Sequence, residues 1–123
     1  MTENTNRDTV TRWVEAYRRA WESNEPDDIR ALFTEDAEYF TEPWEEPWRG
    51  HEEIVAKWLE ERDEPGETKF SWELVAVDGD TGVIRAVTPY RGRATYHNVW
   101  IIRFGGDGRA TTFTEWWMAE KPT

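Results

Sequence analysis

Glu115 is an acid in an unlikely place. It lies in FTEWWMAE, residues 113–120, with Phe113 and Trp117 two positions to either side. In a β-strand alternate side chains share a face, so Phe113, Glu115 and Trp117 point one way, and Trp116 and Met118 the other. If that first face closes a dry, indole-walled hollow, desolvation disfavours the charged carboxylate and raises its pKa toward neutrality. A glutamate tuned in that way can remove a proton next to a carbonyl, the step shared by aldol cyclisation and double-bond migration. The structural alternative is an ion pair with an arginine such as Arg85 or Arg103, or exposure at a strand end. Tyr17 is the natural complement, since its hydroxyl could donate a hydrogen bond to the carbonyl oxygen and stabilise an enolate. Its own alternative is a core tyrosine whose hydroxyl reaches any available acceptor.

Other candidates are weaker in chemistry but concentrated in aromatic surface. Trp44 and Trp48 stand in TEPWEEPWRG, residues 41–50, where they could rim a pocket mouth or pack the loop against a helix. The only two histidines, His51 and His97, lack metal-ligand spacing, and there is no cysteine, so no metal is expected. GGDG at 105–108 separates two strands and reads as a hairpin turn rather than a phosphate loop, so no cofactor is expected either.

The elements that must position these residues follow from periodicity. Thr5 to Asp8 fits a helix-starting box, and Val10, Trp13, Val14, Tyr17 and Trp21 follow on one helical face, predicting a helix to about Ser23. Pro26 opens a short helix with Ile29, Leu32 and Phe33 as its apolar positions. A strand is predicted over Ala37–Thr41, and two prolines make the next segment an ordered, non-helical loop. A third helix runs from His51 to about Arg62, with Ile54, Val55, Trp58 and Leu59 inward, and DEPGE at 63–67 breaks it. Strands follow over Lys69–Val77, Gly82–Tyr90, Ala94–Phe104 and Arg109–Ala119, joined at Asp78-Gly79-Asp80, Arg91-Gly92 and the glycine-rich turn. In the first of them Phe70, Trp72, Leu74 and Ala76 share a face; in the third Tyr96, Asn98, Trp100, Ile102 and Phe104 do. Helices first and an antiparallel meander after them predict an α+β domain with the helices on one side of a strongly curved sheet.

Composition narrows the partners. With 123 residues the chain makes one domain, here residues 8–120 behind a flexible tail of residues 1–7. Nine tryptophans carry much of the apolar volume in large, rigid side chains, which disordered chains lack. A net charge of −11 repels phosphate backbones and anionic lipid, so neither nucleic acid nor membrane is an expected partner. No hydrophobic leader or membrane-length apolar run is visible, and a cytoplasmic protein is expected.

This order of elements, with AWESNEPDDIRALFTEDAEYF, RGHEEI and FTEWW, resembles the nuclear transport factor 2-like superfamily over roughly residues 8–119, nearest its SnoaL-like and ketosteroid isomerase-like groups. The resemblance implies a cone: a curved antiparallel sheet wrapped around three N-terminal-half helices, a cystatin-like α+β barrel with a pocket at its open end. With Ala31–Phe33 set on the isomerases' equivalent, Tyr17 takes the position of their oxyanion-hole tyrosine and Trp58 that of a pocket aromatic. Either Glu42 or Thr41 takes the position of their base, Glu42 if one residue is inserted. Their second donor, a protonated aspartate, falls on Trp100. In SnoaL-like cyclases an acid–Trp pair on the last strand supplies the base, matched here by Glu115-Trp116, while their pocket histidine falls on Trp100. In the limonene epoxide hydrolase-like branch an Asp–Arg–Asp relay is needed, and Asn98 and Trp100 stand at two of its positions. The family fold makes Trp21, Trp58, Trp100 and Trp117 converge with Asn98 and Phe113 around a small hydrophobic or polycyclic ligand. It also implies a homodimer through the outer sheet face that carries Trp116 and Met118. The function implied is that of a small-molecule-binding protein, either a cofactor-independent isomerase, cyclase or lyase, or a non-catalytic binding or dimerisation module.

Overall fold

The computed structural model describes residues 7–61, 70–90 and 94–120. Helix α1 spans Arg7–Ser23 and buries Val10, Trp13, Val14, Tyr17 and Ala20, the face expected from the three-and-four spacing. It ends at Asn24, whose left-handed backbone (φ 53°) lets its N–H return to the Ala20 carbonyl at 2.7 Å. Pro26 then begins α2, Pro26–Arg30, where its fixed φ suits a first turn. The expected helix-starting Thr5, the tail before Arg7, DEPGE and the Arg91-Gly92 turn lie outside the described residues.

Leu32 and Phe33 do not continue α2. Phe33 opens strand β1, Phe33–Phe40, four residues before the predicted start, because it pairs with Ala110 and the Leu32 carbonyl accepts the Ala110 N–H at 2.8 Å. The proline-rich segment is irregular to residue 47, then gives a two-residue strand β2, Trp48–Arg49, antiparallel to β1. Helix α3, Gly50–Glu60, buries Ile54, Val55 and Trp58. Strands β3 (Ser71–Asp78), β4 (Thr81–Pro89), β5 (Thr95–Phe104) and β6 (Ala110–Ala119) form the meander. Gly79, at φ 60°, supplies the positive backbone angle that the tight β3–β4 turn requires.

The six strands are ordered β2-β1-β6-β5-β4-β3. The sheet is mixed rather than wholly antiparallel: β1 lies parallel to β6, a pairing made possible by the long route through α3 and the meander. The order does not return on itself, so the curved sheet is unclosed. A bulge between Leu74 and Ala76 turns β3 by one position, which puts Val77 inward and leaves Ala76 exposed, contrary to strict alternation from Phe70. Helix α1 lies against the concave face. There Trp13 and Tyr17 meet Trp100, Phe104 and Phe113, and Val10 approaches so near β4 that a Cβ at Gly82 would stand 2.7 Å from its methyl group. Among the described residues no helix is long and apolar enough to cross a membrane.

Candidate functional site

A cavity of about 290 Å³ lies between α1, α3 and the sheet face that packs against them. Four of its walls can be traced to periodic patterns. Helix α1 supplies Tyr17 and Trp21, one turn apart, and α3 supplies Trp58. Strand β5 supplies Tyr96, Asn98 and Trp100, and β6 supplies Glu115 and Trp117. The register places Trp100 opposite Glu115 and Asn98 opposite Trp117, so each polar side chain sits beside an indole.

Glu115 is held by donors. Tyr39 donates its hydroxyl hydrogen to Oε1 at 2.7 Å, and the Trp100 indole N–H donates to Oε2 at 3.1 Å. The Asn98 amide also faces Oε2, at 3.5 Å, which is long for a hydrogen bond. Arg85 and Arg103, the two arginines given as examples of an ion-pair partner, pair instead with Glu73 and with Asp80. The hollow around the carboxylate is therefore not lined by apolar rings alone, as the sequence suggested, because among the described residues Tyr39, Trp100 and Asn98 converge on its oxygens. Asn98 is itself oriented from behind: the Thr88 hydroxyl donates to its Oδ1 at 2.9 Å, and both side chains are buried.

Tyr39 links this group to helix α1. Its hydroxyl lies 3.4 Å from that of Tyr17, and its ring stacks on Trp48 at 4.4 Å and meets Phe113 edge-on at 4.8 Å. Burial above all, then the neighbouring Glu115 charge and Tyr17, push its pKa well above the ordinary phenol value. Tyr39 therefore remains a neutral donor. Tyr17 packs on Trp100 at 4.4 Å and on Trp58 at 4.9 Å. The Trp58 indole N–H donates to Oδ1 of the helix-ending Asn24 at 3.1 Å.

The structure brings together most of the residues singled out by sequence. Tyr17, Trp21, Trp48, Trp58, Asn98, Trp100, Glu115 and Trp117 all line the cavity. Phe113 does not, because it is fully buried beneath Tyr17, Tyr39 and Trp100. Glu42 is not on the wall either, and Trp44 is 77% exposed on the loop. Tyr39, Glu61, Phe70, Thr88, Tyr90 and Tyr96 line the cavity without having been singled out. For Tyr39 and Thr88 a signal existed, since each continues the inward alternation of its strand from Ala37 and from Ala86. Glu61 is the residue that ends α3, and Phe70 stands just before β3, on the face that the sequence gives it in common with Trp72 and Leu74. Among the described residues no three acidic or histidine side chains converge as a metal would require. Chemically, the assembly can hold a flat molecule against rings, with the carboxylates of Glu61 and Glu115 and the phenols of Tyr17, Tyr39, Tyr90 and Tyr96 on the wall.

Comparison with known proteins bears on the family and the fold. A SnoaL-like domain model matches residues 14–117, while no curated protein matches the chain. Among solved structures, a SnoaL-like protein of unknown function from Burkholderia thailandensis superposes with a TM-score of 0.71 at 18% identity, covering 94% of this chain and 99% of that one. A candidate ketosteroid isomerase from Kribbella flavida gives 0.69 at 19% identity, covering 94% and 83%. An LEH-like epoxide hydrolase from M. tuberculosis gives 0.62 at 18%, covering 90% and 84%. At such identities the structural likeness speaks for the fold alone. On the match across most of its length, the chain belongs to the SnoaL-like family of the nuclear transport factor 2-like superfamily.

Proposed function

We propose that this protein binds a small, largely apolar cyclic molecule in the aromatic cavity and that Glu115 accepts a proton from it. The chemistry is that of a cofactor-independent isomerase, cyclase or lyase working in the cytoplasm. The observation that carries this reading is the placement of Glu115 on the cavity wall with Tyr39 on one oxygen and Trp100 on the other. A carboxylate fixed by two donors is pre-oriented toward a ligand, and proton transfer depends first on such geometry. Tyr17 is the donor for the oxygen of the substrate, on which negative charge develops as the proton leaves. A volume of about 290 Å³ lies at the lower end of the range for small-molecule sites, which favours one or two rings over a larger polycycle.

The second reading is a non-catalytic ligand-binding or dimerisation module of the same fold. It is favoured by the outer sheet face, where Met118 (73% exposed), Trp116 and Val99 leave apolar surface that a second copy of the chain would cover. Tryptophan fluorescence with a panel of mono-, bi- and polycyclic ketones separates the readings. Saturable quenching, with α-proton exchange of the bound ketone that Glu115→Gln abolishes, is expected of the enzyme. Binding unchanged in that variant, without exchange, leaves the module.

A further inference from the structure

Tyr39 stands between the two groups on which the proposed reaction rests. Trp48, Phe113 and Phe33 pack its ring, at 4.4, 4.8 and 5.9 Å between centroids, so the hydroxyl has little freedom to move away. It is delivered 2.7 Å from Glu115 Oε1 and 3.4 Å from Tyr17 Oη.

A hydroxyl has one hydrogen, and an ionised carboxylate only accepts. While Glu115 is ionised, the Tyr39 hydrogen is committed to Oε1, and in the contact between the phenols Tyr17 is the donor until a ligand oxygen takes its hydrogen. The line then runs from Tyr17 to Tyr39 to Glu115. A proton on Oε1 permits the opposite polarity, from Glu115 to Tyr39 to Tyr17, which turns the Tyr17 hydrogen out toward the cavity. Oε2 is the poorer place for that proton, because the Trp100 indole N–H, a donor only, already faces it at 3.1 Å.

We propose that Tyr39 is a positioning residue that relays protons between Glu115 and Tyr17, so that the proton taken from a ligand carbon by Glu115 is matched by one given to the ligand oxygen by Tyr17. The relay rests on the reading of Glu115 as a base. A C–H bond beside a carbonyl breaks, its electron pair forms the C=C bond of an enol, and the carbonyl π pair moves onto oxygen. Oε1 takes the proton and passes it to Tyr39, Tyr39 passes its own to Tyr17, and Tyr17 passes its own to the ligand oxygen. The ligand exchanges a C–H for an O–H, the protein ends as it began, and no oxidant or reductant is consumed. Burial keeps Tyr39 from resting as a phenolate, so it gives up one proton only while receiving another. The link between the phenols is the long one, and transfer requires it to close by about 0.6 Å to an ordinary O–H···O distance. The other described titratable groups on this cavity are Glu61, Tyr90 and Tyr96.

Two measurements on the full chain test the relay. In protein labelled with ¹³C at the tyrosine Cζ, the Tyr17 resonance is expected to move together with the Glu115 carboxyl as pH is varied, and to stop doing so in Tyr39→Phe. A Tyr17 resonance that ignores Glu115 in the wild type, or still follows it in the variant, overturns the relay. With 2-tetralone as probe, α-proton exchange into D₂O is expected to fall about a hundredfold in Tyr39→Phe at nearly unchanged affinity. Exchange that survives Tyr39→Phe overturns the relay alone, whereas exchange no faster in the wild type than in Glu115→Gln overturns the base reading and the relay with it. Should Tyr39→Phe not fold, Tyr17→Phe breaks the same line at its other end and must show the same loss.

Discussion

The Tyr39–Glu115 hydrogen bond can be weighed directly by a double-mutant cycle. Tyr39→Phe deletes one hydroxyl and leaves the ring against Trp48 and Phe113; Glu115→Gln keeps the side-chain shape and removes the charge. At 2.7 Å, with Tyr39 only 4% exposed, the bond belongs to the charge-assisted class, worth about 1.5–3 kcal/mol. Glu115 is partly exposed, which points to the lower half of that range, about 1.5–2 kcal/mol of coupling. For a chain of 123 residues each kcal/mol moves Tm by about 4 °C, so the coupling is worth about 6–8 °C. Urea unfolding of the four proteins, with m unchanged, gives the coupling from the midpoints. A value below about 0.5 kcal/mol would mean that the two groups do not depend on each other, and the account of the site as a linked unit would be wrong.

Three further outcomes are expected. Gly82→Ala should cost about 1–3 kcal/mol, since the new methyl meets the Val10 methyl at 2.7 Å, and Val10→Ala in the same chain should recover much of that loss; equal cost in both backgrounds would place the strain elsewhere. Raising the pH should destabilise the fold through Tyr39: its folded pKa is raised, so its contribution is complete below the unfolded phenol range at about pH 10 and falls by about 1.4 kcal/mol per pH unit above it. Alkaline denaturation should therefore flatten in Tyr39→Phe, and an unchanged slope would contradict the burial of the phenol. Met118→Lys should leave the fold intact and shift sedimentation from dimer to monomer, and a wild type that sediments as monomer would remove the outer face as a pairing surface.

Much of the site was legible because its residues lie on locally periodic elements. The spacing that buries Val10, Trp13 and Val14 also places Tyr17 on the inner face of α1. Alternation along β5 and β6 likewise puts Trp100 and Glu115 on one side of the sheet. What failed was whatever depended on partners far along the chain. Phe33 continues a helical spacing from Ile29, yet pairing with Ala110 draws it into a strand. The bulge after Leu74 reverses the faces of Ala76 and Val77, and no local pattern announces it. Phe113 shares the face of Glu115 but lies deeper, under two tyrosines and an indole, so a shared face did not make it part of the cavity wall.

Sequence alone determined the α+β class, the inward faces of α1, β5 and β6 and the presence of one acid on an aromatic strand, since these depend on side-chain type and on periods of two and about 3.6 residues. Only the tertiary structure decided what that acid touches. Tyr39 and Glu115 are 76 positions apart and meet because β1 runs parallel to β6 with Tyr39 beside Phe113. That register comes from the packing of the curved, unclosed sheet against α1. Hydrogen bonding acts over about 3 Å and leaves no trace in local spacing, so the donors on Glu115 could be found only once the chain was folded.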